Sequence, residues 1–172
     1  MKKSEIQKNL QNISTSFSKE EFIYDFLLSF GLSKTTITRL KKGDYNLSKK
    51  EGELFYKGKI FFKTEKAENL LHAIDELIKD PKIARQKPRF LFVTDFEKAV
   101  AVDTKKNVNR EFNLQDLGAL EQVDFFLPLS GAEIYRVSND NKADRDAAYK
   151  LGELYDIWRW TIPIGLRREV TN

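Results

Sequence analysis

The stretch GELFYKGKIFFKTEK, residues 52–66, contains two β-prone runs separated by Lys57-Gly58-Lys59. A glycine between two polar residues favours a turn, because glycine adopts positive φ angles at little steric cost. The stretch therefore predicts a β-hairpin of two short strands. Glu53 lies on the first strand and Lys63 on the second, so we expect any chemical centre of this protein to be built on this hairpin.

A carboxylate on one short strand and a lysine on the next suit metal-dependent cleavage of phosphodiesters. The acids hold Mg²⁺, and the lysine orients or activates water. The endonuclease pattern of this type is an acid, a gap, and then acid-any-lysine. Glu53 fits the first acid and Lys63 fits the lysine, whereas Phe61 stands at the position of the second acid.

Phenylalanine cannot ligate magnesium, so the pattern predicts an impaired site. Glu65, two residues beyond Lys63, is the candidate replacement for the missing acid. The predicted catalytic set is therefore Glu53, Lys63 and Glu65, with Glu53 and Glu65 as the ligands of Mg²⁺ if the site is active. The alternative is a half-buried hairpin whose charged side chains face water.

Composition restricts the class of protein. The 172 residues are 41% hydrophobic and 33% charged, as is typical of one globular domain. The net charge of +4 is compatible with a polyanion partner but does not require one. With no cysteine and one histidine, disulfides and multi-histidine metal sites are excluded, and His72 is expected to be partly buried. No secretory leader or membrane-length apolar run is recognisable, so we expect a cytoplasmic protein without a membrane partner.

Two helices precede the hairpin. Ser18-Lys19-Glu20-Glu21 has the pattern of a capping box and predicts a helix that starts there and ends at Gly31. A second helix is predicted from Ser33 to Gly43. Its outward, DNA-binding face is expected to consist of Lys34, Thr35, Thr38, Arg39, Lys41 and Lys42. Helix, glycine turn and basic helix resemble a helix-turn-helix; the alternative is a solvated basic face.

The remaining pattern predicts a mixed sheet flanked by helices, an α/β or α+β fold. We expect a helix over residues 67–79 with Leu71 and Ile78 on its apolar face, a loop over 82–88, and a hairpin of strands 89–94 and 99–103. A short strand near Phe112, a helix over 114–122, an aromatic core segment over 124–131 and a last helix from Asn139 follow. Residues 1–17 form an arm or short helix, residues 18–157 the domain, and residues 158–172 a tail.

Two enzyme classes lack their motifs in this sequence. No glycine-rich loop with an Asn/Asp-Pro-Pro-aromatic motif is present, which excludes an adenine methyltransferase within this chain. No GxxxxGK loop is present either, which excludes a P-loop nucleotide hydrolase.

Several segments, in the same order and with similar spacing, resemble the N-terminal region of type IIG or IIS restriction-modification enzymes. They are FIYDFL from Phe22, KTTITRL from Lys34, KPRF from Lys87, VTDF from Val93, DTK from Asp103, DFFLPLSG from Asp124 and LYD from Leu154. In that family an N-terminal nuclease-like domain precedes a helical connector, an adenine methyltransferase and a target-recognition domain.

The resemblance implies a restriction-endonuclease-like PD-(D/E)XK core whose motif falls on Glu53 and on Phe61-Phe62-Lys63. It implies double-stranded DNA and a methyltransferase or specificity part as partners, with S-adenosylmethionine bound only by that other part. The expected function is a nuclease-like DNA-contact and docking domain with an impaired site. An active Mg²⁺-dependent endonuclease and a helix-turn-helix regulator are the alternatives.

Overall fold

The computed structural model describes residues 2–132, so the helix predicted from Asn139 and the tail over 158–172 lie outside the described part. The helices are α1 (Lys3–Thr15), α2 (Phe22–Ser29), α3 (Lys34–Lys42), α4 (Leu70–Lys79), α5 (Pro81–Gln86) and α6 (Leu120–Phe126). The strands are β1 (Glu53–Tyr56), β2 (Ile60–Thr64), β3 (Phe90–Thr94), β4 (Lys98–Asp103) and β5 (Val108–Asn113). Short 3₁₀ helices cover Ala67–Asn69, Leu114–Gly118 and Leu127–Ser130.

The strands form one mixed sheet in the order β1-β2-β3-β4-β5. Strands β2 and β3 are parallel, and every other neighbouring pair is antiparallel. A parallel pair requires a long crossover connection, which α4 and α5 provide between β2 and β3. The predicted hairpins over residues 52–66 and 89–103, the strand at Phe112 and the mixed α/β sheet are therefore confirmed.

Each face of the sheet packs against its own group of helices. Side chains alternate along a strand, so Leu54 and Phe62 point to one face while Phe55 and Phe61 point to the other. The first face joins the core formed by α1, α2, α3 and α6, and the second packs against α4 and α5. The predicted arrangement of helices flanking the sheet is confirmed.

Phenylalanine rings dominate the larger core. Phe126 is fully buried and its ring centroid lies 5.1 Å from that of Phe26, 5.2 Å from Phe90 and 5.4 Å from Phe92. Edge-to-face and tilted ring pairs of this kind add about 0.5–1.5 kcal/mol each beyond the burial of area. The predicted role of residues 124–131 in core packing is confirmed, because Leu127 and Leu129 are buried beside this cluster.

The start of α2 differs from the prediction. The Ser18 carbonyl accepts the backbone N–H groups of Glu21 and Phe22, whereas the Ser18 hydroxyl donates to the Glu20 carboxylate. The capping box is therefore not formed, and the helix begins at Phe22 after a turn. At α3 the prediction is confirmed, since the Ser33 hydroxyl accepts the N–H of Thr36 and Gly43 has a φ of 87°.

Three further predictions are wrong in whole or in part. Of the loop predicted over 82–88, residues 82–86 belong to α5, because Asp80 accepts the N–H of Lys82 at 2.7 Å and Pro81 occupies the first turn of that helix. The helix over 114–122 is divided, since a 3₁₀ turn ends at Gly118 and α6 begins at Leu120. His72, Leu71 and Ile78 are exposed, because Ala73 completes the buried stripe of α4 in their place.

No helix within the described residues is both long and apolar enough to cross a membrane.

Candidate functional site

The hairpin register brings Glu53 and Lys63 side by side. Glu53 pairs with Lys63 and Phe55 pairs with Phe61 across the two antiparallel strands. Directly opposed residues have Cβ atoms about 4.5–5.5 Å apart and project from the same face. Glu53, Phe55, Phe61 and Lys63 therefore share one face of the sheet, with Glu53 and Lys63 on the two strands that the sequence predicted for them. Their catalytic role stays a prediction.

Glu53 is held by the loop that precedes β1. The Ser48 hydroxyl donates to Glu53 Oε2 at 2.6 Å, and Lys50 Nζ lies 4.0 Å from Oε1. The side chain of Glu53 is only 11% exposed, so its carboxylate is largely shielded from solvent. On the opposite face of the sheet, residue 53 also borders a cleft of about 370 Å³ between the hairpin and α2, which is lined by Ile23, Tyr24 and Phe62.

Ser48 was not among the predicted site residues, and Asn46 explains how it reaches Glu53. Asn46 Oδ1 accepts the backbone N–H groups of Ser48 at 3.0 Å and of Phe55 at 2.8 Å. This side chain thereby anchors the loop to the edge of β1 and directs Ser48 towards the carboxylate. The only available signal was the turn composition of residues 44–48, which does not indicate contact with Glu53.

Phe61 occupies the position of the missing acid and is buried. Its ring packs against Phe55 with centroids 4.8 Å apart and an interplanar angle of 63°. Both rings belong to the apolar cluster between the sheet and the helices α4 and α5. A carboxylate at this position would lie in an apolar environment, which does not suit a charged metal ligand.

Glu65 is paired with Lys63 and not with Glu53. Lys63 Nζ lies 3.0 Å from Glu65 Oε2, and the backbone N–H of Lys66 donates to Glu65 Oε1 at 3.2 Å. The hydrogen bond from Lys63, followed by that from Lys66, holds the pKa of Glu65 below its ordinary value. Glu65 therefore carries a negative charge that the Lys63 ammonium already neutralises.

Asp95 is a further acid at this end of the sheet, and its carboxylate is used by the turn between β3 and β4. Asp95 Oδ1 accepts the backbone N–H groups of Glu97 at 2.8 Å and Lys98 at 2.6 Å. Burial raises the pKa of Asp95, but the hydrogen bonds from Lys98 and Glu97 outweigh it, and the pKa lies below its ordinary value. Over residues 2–132, no three acidic or histidine side chains are grouped closely enough to hold a metal ion.

Helix α3 presents the predicted outward face. Ile37 and Leu40 are buried in the core. The exposed residues are Lys34, Thr35, Thr38, Arg39, Lys41 and Lys42. The Thr38 hydroxyl donates back to the Lys34 carbonyl at 2.9 Å, which leaves it less available to a ligand. DNA binding by this face stays a prediction.

Two cations of α3 are already held by neighbouring side chains. Arg39 donates to the Tyr45 hydroxyl and lies 5.5 Å from the centroid of that ring. Lys41 pairs with Glu21 and lies 5.0 Å from the Tyr24 ring centroid. Within the described part of the chain, Lys34 and Lys42 have no such partner, so they are the cations of this helix most available to an anion.

Comparison with known proteins assigns the chain to a family. Residues 1–157 match the family described as "MmeI, N-terminal domain". The sequence is also 32% identical, over 155 residues and 90% of its length, to the protein named DNA methyltransferase A of Bacillus subtilis (strain 168). It spans 17% of that relative's length. No solved structure matches the chain.

These matches are consistent with the N-terminal region of a type IIG enzyme, so the predicted resemblance is confirmed. The chain belongs to the MmeI N-terminal domain family.

Proposed function

We propose that this chain is a nuclease-like region of a restriction-modification system that contacts DNA and docks to the methyltransferase part without cutting DNA efficiently. Membership of the MmeI N-terminal domain family supports the restriction-modification context. The relative named DNA methyltransferase A supports an association with a methyltransferase. S-adenosylmethionine would be bound by that other part, since this sequence has no loop for it.

The burial of Phe61 carries the proposal of impaired cleavage. A PD-(D/E)XK site needs two anionic ligands for Mg²⁺ and a lysine near the attacking water. Glu53 and Lys63 are opposed on the hairpin as such a site requires, but the ring of Phe61 lies against Phe55. Glu53 and Lys63 are therefore in register, whereas the position expected for the second acid, Phe61, is part of the apolar core.

An active endonuclease is the second candidate, and the position of Glu65 is the observation in its favour. Its carboxylate lies beside Lys63, at 3.0 Å from the ammonium group. To serve as a metal ligand, Glu65 would have to leave Lys63 and the N–H of Lys66. The existing hydrogen bonds therefore oppose this use of Glu65.

The DNA-contact part of the proposal rests on α3. Lys34, Thr35 and Lys42 are exposed on one short helix, and such side chains bind backbone phosphates or base edges. A stand-alone helix-turn-helix regulator would use the same face. Ile37 and Leu40 of α3 belong to the core that also includes the sheet, which favours a helix built into an α/β domain.

The test is DNA binding over a series of salt concentrations with Mg²⁺ present, with the same samples analysed on a gel for cleavage. Three or more phosphate contacts predict that log affinity falls with log salt with a slope of roughly −3 or steeper. Lys34→Ala with Lys42→Ala should weaken binding and flatten the slope. Lys8→Ala with Lys98→Ala makes the same change of charge on exposed lysines elsewhere and should leave both unchanged.

Binding to intact DNA supports the proposal. Cleaved DNA would replace it with the active endonuclease, and the absence of binding at every salt concentration would overturn the DNA-contact role. A footprint with two-fold symmetry would favour the helix-turn-helix regulator.

A further inference from the structure

Three turns meet at the end of the sheet opposite to Glu53 and Lys63. They are the β1–β2 turn over residues 57–59, the approach to β3 over 87–89, and the β4–β5 turn over 104–107. The Gly58 N–H donates to the Gln86 carbonyl at 3.1 Å, and the Thr104 hydroxyl donates to the Pro88 carbonyl at 2.6 Å. These bonds join the three turns into one surface, which we call the basic turn end.

The charges of the basic turn end are almost all positive. The turns read KGK, KPR and TKKN, so they contain six basic residues and no carboxylate. The strand ends that they connect add a single acid, Asp103. Its buried carboxylate accepts from Arg89 Nε at 2.7 Å and Nη2 at 2.9 Å. The sequence of these turns and strand ends thus has an excess of basic over acidic residues, the usual mark of a surface that binds a polyanion.

The basic turn end is concave and its backbone is held in place. A cleft of about 680 Å³ lies between the turns and the helices α4 and α5, with Lys59, Lys87 and Lys105 among its lining residues. Asp103 Oδ1 also accepts the backbone N–H groups of Lys105 at 3.0 Å and Lys106 at 3.1 Å. The lysines therefore project from turns whose shape is determined by hydrogen bonds.

A chain of contacts connects this surface with α3. Arg39 donates to the Tyr45 hydroxyl, and the Tyr45 ring stacks on Tyr56 with centroids 6.2 Å apart. Tyr56 is the last residue of β1 and directly precedes Lys57. The basic face of α3 and the basic turn end are therefore neighbours, and a long polyanion can contact both.

We propose that the basic turn end is a second phosphate-contact surface for double-stranded DNA, which lies beside α3 and at the end of the sheet opposite to Glu53 and Lys63. Lys59 directly precedes β2 and Lys63 lies near its end, about 13 Å apart at the usual rise per residue in a strand. The turns and the Glu53–Lys63 pair are therefore separate positions, and a duplex can contact the turns without a phosphate at Glu53. The inference rests on the proposed DNA-contact function and adds to it the residues that bind.

The test compares two triple variants in the same salt series. Lys57→Gln, Lys59→Gln and Lys87→Gln remove three charges from the basic turn end. Lys8→Gln, Lys66→Gln and Lys98→Gln remove three charges from exposed lysines elsewhere. Each phosphate contact contributes about 0.9 to the salt slope, so the first variant should flatten it by roughly 2 to 3 and the second should not change it.

The outcomes separate this inference from the proposed function. If the wild type binds and the turn variant binds with the same affinity and slope, the inference is overturned while DNA contact through α3 stands. If the wild type does not bind, both fail. Should the turn variant not fold, amide hydrogen exchange of the wild type with and without duplex decides. Protection over residues 57–59 and 104–107 supports the inference, and unchanged exchange there overturns it.

Discussion

At the scale of single residues, Asp103 is a buried charged residue that joins two strands and a turn. It is 1% exposed at the end of β4, and it pairs with Arg89, which precedes β3. A buried carboxylate of this kind is tolerated only because cationic and N–H groups surround it. The pair therefore links two strands and also shapes the turn that carries Lys105 and Lys106.

We expect Asp103→Ala to lower the free energy of unfolding by about 3–5 kcal/mol, the usual cost of removing one partner from a buried ion pair. Urea denaturation measures this loss. The matched control is Glu121→Ala, whose partner Arg110 lies 3.2 Å away in an exposed pair. The control should cost less than about 1 kcal/mol. Equal losses in the two variants would contradict the structural role given to Asp103.

The pair of Lys63 and Glu65 makes a prediction about pH. The folded-state pKa of Glu65 is lowered, chiefly by Lys63, so its ionised form stabilises the fold. The contribution is complete above the ordinary value of 4.5 and is lost as the pH falls through the lower folded-state pKa. Lys63→Met should raise the pKa of Glu65 towards its ordinary value, which an NMR titration of the carboxyl carbon measures.

Lys66→Met is the control for this titration, because Lys66 contacts Glu65 through its backbone N–H and not through its ammonium group. The pKa of Glu65 should therefore stay close to the wild-type value in this variant. A pKa that is unaffected by Lys63→Met would show that the ion pair is not formed in solution.

At the scale of elements, α1 is tied to the rest of the domain by a close backbone approach. Ile6, Leu10 and Ile13 of this helix are buried in the larger core. A Cβ atom built on Gly118 would lie 2.9 Å from the backbone nitrogen of Gln11 and 3.0 Å from its Cα. Glycine at this position allows α1 to lie directly on the 3₁₀ turn Leu114–Gly118.

We expect Gly118→Ala to destabilise the protein by about 1–3 kcal/mol, because the added methyl group forces α1 away from that turn. Thermal unfolding measures the effect. Gln11→Ala alone should be nearly neutral, since Gln11 is exposed. Adding Gln11→Ala to Gly118→Ala should restore only part of the stability, because the backbone clash persists. Full recovery would mean that the side chain alone is responsible.

Short sequence signals, such as a capping serine or a turn glycine, predicted a helix or strand correctly where the signal is typical of a single structure. Ser33 and Gly43 bound α3 as expected, and the glycine turn at Gly58 produced the hairpin. The prediction failed at Asp80-Pro81, since proline ends α4 but also occupies the first turn of α5. The prediction of one helix over 114–122 also failed. The helical pattern is interrupted at Gly118, where the backbone of α1 packs too closely for a side chain.

At the scale of the whole described unit, the two ends of the sheet differ in charge. Glu53, Glu65 and Asp95 stand at one end together with Lys63, so acids and bases are mixed there. The other end carries the six basic residues of the three turns and Asp103. From this distribution we expect a polyanion to approach the turns and not the end that carries Glu53 and Lys63, independently of any single contact.

The elements that depend on interactions between near neighbours in the chain could be predicted from the sequence. Turn chemistry, helix capping and alternating apolar residues act over a few neighbours, so both hairpins and α3 could be predicted directly, and Phe61 could be recognised at the position where the pattern expects an acid. The family resemblance was readable too, because it rests on ordered segments and not on contacts.

Contacts between distant segments could not be predicted from the sequence and were visible only in the folded structure. Several contacts join segments that are separate in the chain. They are the parallel pairing of β2 with β3, the packing of α1 on Gly118, the hydrogen bond from the Ser48 loop to Glu53, and the contacts among the three basic turns. Such contacts depend on packing and hydrogen-bond geometry in the folded chain, which no local pattern encodes. For that reason the sequence indicated the Glu53–Lys63 hairpin, whereas the basic turn end became visible only in the fold.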